Sequence, residues 1–144
     1  GRRVLELGAG SGVVGLAAAL AGAASVTLTD LPAVTARAEA NVMLNKSALD
    51  AAGASVDARP LVWGSDDLSA ASEPFPDLLL MADVVYEPAG NVLLLHTLTR
   101  LGQMARTLDT RAPLVLLAHR HRHPDDGHFF EAAAARWGML RLGD

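Results

Sequence analysis

The chain has 144 residues, 51% of them hydrophobic and 4% aromatic, with a net charge of −4. That length suits one domain with a sizeable core, and the absence of cysteine excludes disulfides, thiolate catalysis and Cys-based zinc sites. The acidic balance without a large basic cluster argues against a direct grip on nucleic acid, and no apolar run reaches the roughly 18 residues of a membrane span.

No basic segment with a cleavage site opens the chain, so a cytoplasmic location is expected. The chain starts without Met, directly on a strand pattern. It ends on Met139-Leu140-Arg141-Leu142-Gly143-Asp144, which resembles the beginning of another strand. A single domain over residues 1–144, cut at both ends, is the expectation.

Residues 2–7 read as a first strand and 11–21 as an Ala-rich helix that Ala21-Gly22-Ala23 ends. Ser25-Val26-Thr27-Leu28-Thr29-Asp30 is a short β-branched strand closing on an acid. Pro32 fits the first turn of the next helix. That helix runs to about Leu44 or Lys46, with Val34, Ala38, Val42 and Leu49 on its apolar side, and Asp50 to Ala54 reads as a loop. Residues 55–63 read as a third strand, which Pro60 assigns to a sheet edge. Residues 64–76 hold Gly, Ser, Asp, Glu and two Pro, hence a loop or a short helical turn.

Asp77-Leu78-Leu79-Leu80-Met81-Ala82-Asp83 has the character of a buried central strand. Pro88 to Leu108 is a long helix on which Leu94, Leu98, Leu101, Ala105 and Leu108 recur at helical spacing. Ala112 to Ala118 reads as a fifth buried strand, and a polar loop over 119–124 follows. Asp125 or Asp126 caps a last helix that runs to Arg136, is stopped by Gly138 and carries Phe129, Phe130 and Trp137 towards the core.

Strands and helices alternate, and the strands are apolar on both faces. The fold class is therefore α/β: a Rossmann-like open parallel sheet with helices on both sides. Right-handed crossovers leave few strand orders, of which 3-2-1-4-5, with the C-terminal strands incomplete, is expected. In such a sheet ligands bind at the carboxyl ends of the strands. Gly8, Ala9, Gly10, Ser11 and Gly12 follow the first strand, Asp30 closes the second, and Trp63 to Asp67 follow the third. Asp83 and Tyr86 follow the fourth.

Glycines there let the backbone turn tightly and approach a ligand, while the helix that opens near Ser11 aims unpaired N–H groups at it. Gly10-x-Gly12-x-x-Gly15 satisfies the dinucleotide fingerprint, and Asp30 lies 20 residues beyond Gly10. Asp30 can accept from both hydroxyls of a ribose, or cap the helix at Pro32. Trp63 can pack on an adenine ring or in the core.

Two features turn the pattern away from a dinucleotide. Glu6 stands before Gly8-x-Gly10-x-Gly12, where a carboxylate could hold the ammonium of an amino-acid tail, or could bond to backbone N–H groups. The only Tyr is Tyr86 and the only Lys is Lys46, so no Tyr-x-x-x-Lys pair for hydride chemistry can be built. Asn41 and Asn45 sit one helical turn apart, in surface or capping positions. His119, His121, His123 and His128 invite a metal reading. Their cationic neighbours Arg120 and Arg122, and the lack of a matching carboxylate spacing, favour a solvated or substrate-facing loop instead, with no metal.

Leu5-Glu6-Leu7-Gly8-Ala9-Gly10-Ser11-Gly12, Thr29-Asp30, Leu61-Val62-Trp63-Gly64 and Ala82-Asp83-Val84-Val85-Tyr86 together resemble the seven-β-strand, S-adenosylmethionine-dependent protein-lysine methyltransferases, a group marked by the Asp-x-x-Tyr motif. Arg120 and Phe129-Phe130-Glu131 resemble that family's C-terminal part. The resemblance implies S-adenosylmethionine as cofactor, held at Gly8, Ala9, Gly10, Asp30, Trp63 and Ala82, with Glu6 before them. It implies that Asp83 and Tyr86 flank the methyl-transfer centre and that the acceptor is a lysine side chain of a protein. Methylation of a small-molecule nitrogen, and cofactor binding without catalysis, remain the other readings. A protein substrate is the expected partner, with neither nucleic acid nor membrane.

Overall fold

The computed structural model describes residues 1–121 and 126–137. The chain alternates as expected: β1 (Arg3–Leu7), α1 (Val13–Leu20), β2 (Ser25–Asp30), α2 (Pro32–Leu44), α3 (Lys46–Ala52), β3 (Ser55–Pro60), a 3-10 turn (Ser69–Ala71), β4 (Leu78–Ala82), α4 (Pro88–Thr107), β5 (Leu114–Ala118) and α5 (Asp126–Ala134). The five strands are parallel and lie in the order β3-β2-β1-β4-β5. Leu5 stands opposite Thr27 on one side and Leu79 on the other, which places the central strand between β2 and β4.

Neighbouring residues of a strand face opposite sides of the sheet, so each apolar strand feeds two cores. Val4, Val26, Leu28 and Leu80 pack with Leu16 and Ala19 of α1, Ala38 of α2 and Leu49 of α3. Leu5, Leu7, Leu79 and Met81 pack with Leu94, Leu98 and Leu101 of α4 and Phe129 of α5. Burial of one such Leu stabilises the fold by about 1.5–3 kcal/mol relative to exposure. Among the described residues no helix is long and apolar enough to cross a membrane.

Four expectations change. The loop placed at Asp50–Ala54 is largely helix: α2 stops at Leu44, the chain turns at Asn45, and α3 runs to Ala52 before Gly53 takes φ +68. Leu49, buried at 3% exposure, anchors that short helix, and Lys46 pairs with Asp50 one turn later at 2.8 Å. The third strand ends at Pro60 rather than residue 63, on the sheet edge that Pro60 predicts. Leu108 is 52% exposed because α4 has already ended. β5 is not buried: Leu114, Val115 and Leu116 are 64, 45 and 47% exposed, so both its faces meet solvent at the other edge of the described sheet. The strand start at 139–144, the stop at Gly138 and a cap at Asp125 lie outside the described residues.

Candidate active site

The glycine turn after β1 is built from four ties. Ala9 N–H donates to the Thr29 carbonyl at 2.9 Å and Gly12 N–H to the Ala9 carbonyl at 2.7 Å. Gly10 N–H donates to Asp30 Oδ2 at 2.7 Å, and Asn41 Nδ2 donates to the Ser11 carbonyl at 2.8 Å. Asn41 therefore does more than face solvent: it holds the turn from α2.

The glycines serve different needs. Gly8 has φ +72, and a Cβ there would lie 2.8 Å from Val84 Cγ1 and 2.9 Å from Trp63 Cζ2. Gly15 lies where α1 crosses β1 and β2; a Cβ would strike Leu28 and come within 2.6 Å of Glu6 Oε2. Gly10 has φ +57 with nothing within 4 Å of its Cβ position, so the tip of the turn is open backbone. A ligand can approach that tip closely.

Glu6 lies beneath the turn, 2% exposed, with Oε2 accepting from Gly15 N–H at 2.8 Å. This is the backbone-bonded arrangement. Burial raises its pKa to about 7; the Gly15 N–H works against the rise and the Asp30 charge adds to it. Asp30 does not cap α2. Its Oδ1 accepts from Leu31 N–H at 2.7 Å and its Oδ2 from Gly10, clipping β2 to the glycine turn.

Trp63 is half-buried against the same turn, packed on the core beneath it. Its position is set by a residue that the sequence pattern does not single out. Thr97, fully buried on α4, accepts from Gly64 N–H at 2.9 Å and donates its hydroxyl to the Leu93 carbonyl at 3.1 Å. Gly64 takes φ +79, and a Cβ on it would stand 2.5 Å from Leu93 Cδ2.

After Ala82, half-buried at the end of β4, Asp83 adopts φ 59, a conformation that costs a non-glycine residue energy and clusters at functional sites. Its N–H donates to the Ala118 carbonyl of β5 at 2.9 Å. Val84 and Val85 are buried at 4 and 1% exposure, which leaves Asp83 and Tyr86 on the solvent side. Tyr86 is 62% exposed, so it is not a packing residue. Glu87 then caps α4, accepting from Ala89 and Gly90 N–H at 3.1 and 2.6 Å. The Asp-x-x-Tyr segment is thus pinned at both ends.

The expected solvated loop after β5 is only partly so. His121 is 66% exposed and His128 is exposed, but the His119 side chain is 9% exposed, against Phe130 with ring centroids 5.1 Å apart. His123 lies outside the described residues.

The parallel sheet in this order agrees with what the chain is similar to. A family model described as lysine methyltransferase matches residues 1–136. The protein N-lysine methyltransferase METTL21A of Danio rerio is 34% identical, over 99% of this chain and 60% of that protein. The protein-lysine N-methyltransferase EFM6 of Saccharomyces cerevisiae is 32% identical, over 99% and 59%. The EEF1A lysine methyltransferase 3 of Mus musculus is 41% identical, over 70% and 40%. The chain thus spans between two fifths and three fifths of these relatives. With the family model matching residues 1–136 and the sheet order of a Rossmann-like methyltransferase, this chain belongs to the lysine methyltransferase family.

Proposed function

We propose that the full-length protein binds S-adenosylmethionine at the carboxyl ends of β1, β2 and β3 and methylates a lysine side chain of a protein substrate. The observation that carries this reading is the convergence of three strand ends on one open turn: Asp30 on Gly10, and Trp63 on Gly8. A carboxylate has about four acceptor directions. Asp30 uses two on backbone N–H groups and keeps the others for ribose hydroxyls. The indole of Trp63 and the half-buried Ala82 suit an adenine face, and the bare backbone at Gly10 suits a close-lying tail without a diphosphate. Glu6 shapes the turn from below rather than reaching the ligand across solvent.

When bound, S-adenosylmethionine supplies a methyl group already activated on its sulfonium. The chain's own task is alignment of the acceptor. A lysine must be neutral to react, and its ordinary pKa is about 10.4; desolvation at the site lowers it. In this reading the Asp83 carboxylate accepts from the neutral substrate amine and fixes its direction, while the exposed Tyr86 ring offers a cation–π face to the charged donor or methylated product. A cytoplasmic location belongs to the same reading.

Calorimetry of the full-length protein with S-adenosylhomocysteine and with NAD tests the cofactor: binding of the first alone is expected, and binding of NAD alone would overturn it. Transfer of labelled methyl from S-adenosylmethionine into a cell lysate tests the acceptor. Label in a protein band is expected. Label confined to small molecules would favour a small-amine methyltransferase, and binding without transfer a non-catalytic module.

A further inference from the structure

We propose that His119, His121 and Asp126 form a binding site for a divalent transition-metal ion of the Zn²⁺ class, clipping the segment after β5 to the start of α5. One donor atom from each of the three lies within 4.8 Å of the other two. His119 Nε2 is 3.2 Å and His121 Nδ1 3.8 Å from Asp126 Oδ2. Ligand atoms bonded to one tetrahedral ion at about 2.0–2.1 Å stand about 3.3 Å apart, so the donors, now within 4.8 Å of one another, close on an ion by movement of the exposed His121 ring towards the other two.

A second observation is independent of that spacing. The His119 side chain is nine-tenths buried, yet neither of its ring nitrogens has a hydrogen-bond partner. Its contact with Asp126 is close enough for a hydrogen bond but fails as one on direction. Leaving a buried ring nitrogen without a hydrogen-bond partner is unfavourable, and metal ligation by Nε2 would satisfy it. The ring is also held in place, between Phe130 and the edge of His121 at centroid distances of 5.1 and 6.3 Å.

The donor set selects the ion. Two imidazoles and one carboxylate suit Zn²⁺, Cu²⁺, Ni²⁺ or Fe²⁺, whereas Mg²⁺ and Ca²⁺ prefer all-oxygen shells. The carboxylate that the sequence spacing does not offer comes from Asp126, 3% exposed at the first residue of α5. Arg120 is exposed, so water screens its charge from the cluster. The site borders the strand ends already described, because the carbonyl of Ala118, next to His119, accepts from Asp83 N–H at 2.9 Å.

The test is Zn²⁺ titration by calorimetry into chelator-stripped full-length protein, with Co²⁺ absorption as a second probe. One saturable equivalent with nitrogen-type Co²⁺ bands is expected. Loss of an outer-shell partner alone weakens metal sites ten- to a hundredfold, so removing a ligand by His121→Ala or Asp126→Asn is expected to cost about tenfold or more. His128→Ala, exposed and outside the cluster, is the control that leaves binding unchanged. His121 is 66% exposed, so its replacement leaves the fold intact even where Asp126→Asn does not. Zn²⁺ binding by folded His121→Ala equal to wild type, or no saturable equivalent in wild type, would overturn the proposal.

Discussion

The Trp63 ring occupies the space that a Cβ on Gly8 would need, 2.9 Å from Cζ2. That contact joins the ends of β1 and β3. Gly8→Ala adds both this clash and the strain of φ +72, together costing about 2–4 kcal/mol. Gly10→Ala meets no atom within 4 Å and bears only the strain of φ +57, about 1–2 kcal/mol. Thermal unfolding with S-adenosylhomocysteine calorimetry on the folded variants separates them. Gly8→Ala is expected to lose stability most; Gly10→Ala is expected to lose affinity with a smaller drop in Tm. Wild-type affinity in Gly10→Ala would remove the open turn from the cofactor site.

Thr97 controls Trp63 from the far side of Gly64. Thr97→Val keeps the volume but leaves the Gly64 N–H without its acceptor, at a cost of about 1–3 kcal/mol. Thr97→Ser restores the acceptor. Near-UV circular dichroism reads the indole environment directly. The Val variant is expected to lose Trp63 signal and cofactor affinity together, and the Ser variant to recover both. A change in stability alone, with the Trp63 signal kept, would make Thr97 a packing residue only.

The sheet order is legible in the sequence because every strand is a short apolar run bounded by turn residues, and parallel crossovers leave few arrangements. What is not legible are polar residues whose partners come from elsewhere in the chain. Thr97 lies among Leu94, Leu98 and Leu101 on the buried stripe of α4, and a hydroxyl there requires an acceptor. Asn41 stands one turn from Ala38 in the same way, and its amide goes to Ser11. Both signals exist, but periodicity counts only the apolar neighbours. β5 misleads for the opposite reason: Leu114-Val115-Leu116-Leu117 reads as a buried strand, and composition alone does not tell a central strand from an edge.

Glu6 makes stability depend on pH. Its folded-state pKa, about 7, lies above its ordinary 4.5, so the folded state binds the proton more tightly. Between these values the folded chain holds more protons than the unfolded chain, and stability falls as pH rises. The full loss, up to about 3 kcal/mol, is reached above the folded pKa. Glu6→Gln keeps an oxygen for Gly15 N–H and removes the charge, so the slope contributed between about pH 4.5 and 7 disappears. Urea unfolding across that range measures it. Asp30→Asn is expected to move the Glu6 midpoint down, since the Asp30 charge adds to the rise. An unchanged slope in Glu6→Gln would assign the pH dependence to other groups.

The last prediction concerns the Asp-x-x-Tyr segment. Asp83 holds φ 59, a conformation that Asn tolerates as well as Asp. Asp83→Asn therefore removes the charge while keeping this backbone conformation accessible, and the backbone N–H that donates to Ala118 is retained. If the carboxylate orients the acceptor amine, turnover of the full-length enzyme falls by about tenfold or more, equivalent to about 1.4 kcal/mol of transition-state stabilisation. S-adenosylhomocysteine affinity stays near wild type, because the residues assigned to the cofactor are untouched. Tyr86→Phe keeps the ring and its cation–π face, so a small effect is expected from it and a large one from Tyr86→Ala. With Tyr86 62% exposed, neither change disturbs the core. Single-turnover methylation, with cofactor affinity measured on the same samples, reads both effects. Unchanged turnover in both Asp83→Asn and Tyr86→Ala would mean that this strained, exposed corner does not meet the substrate.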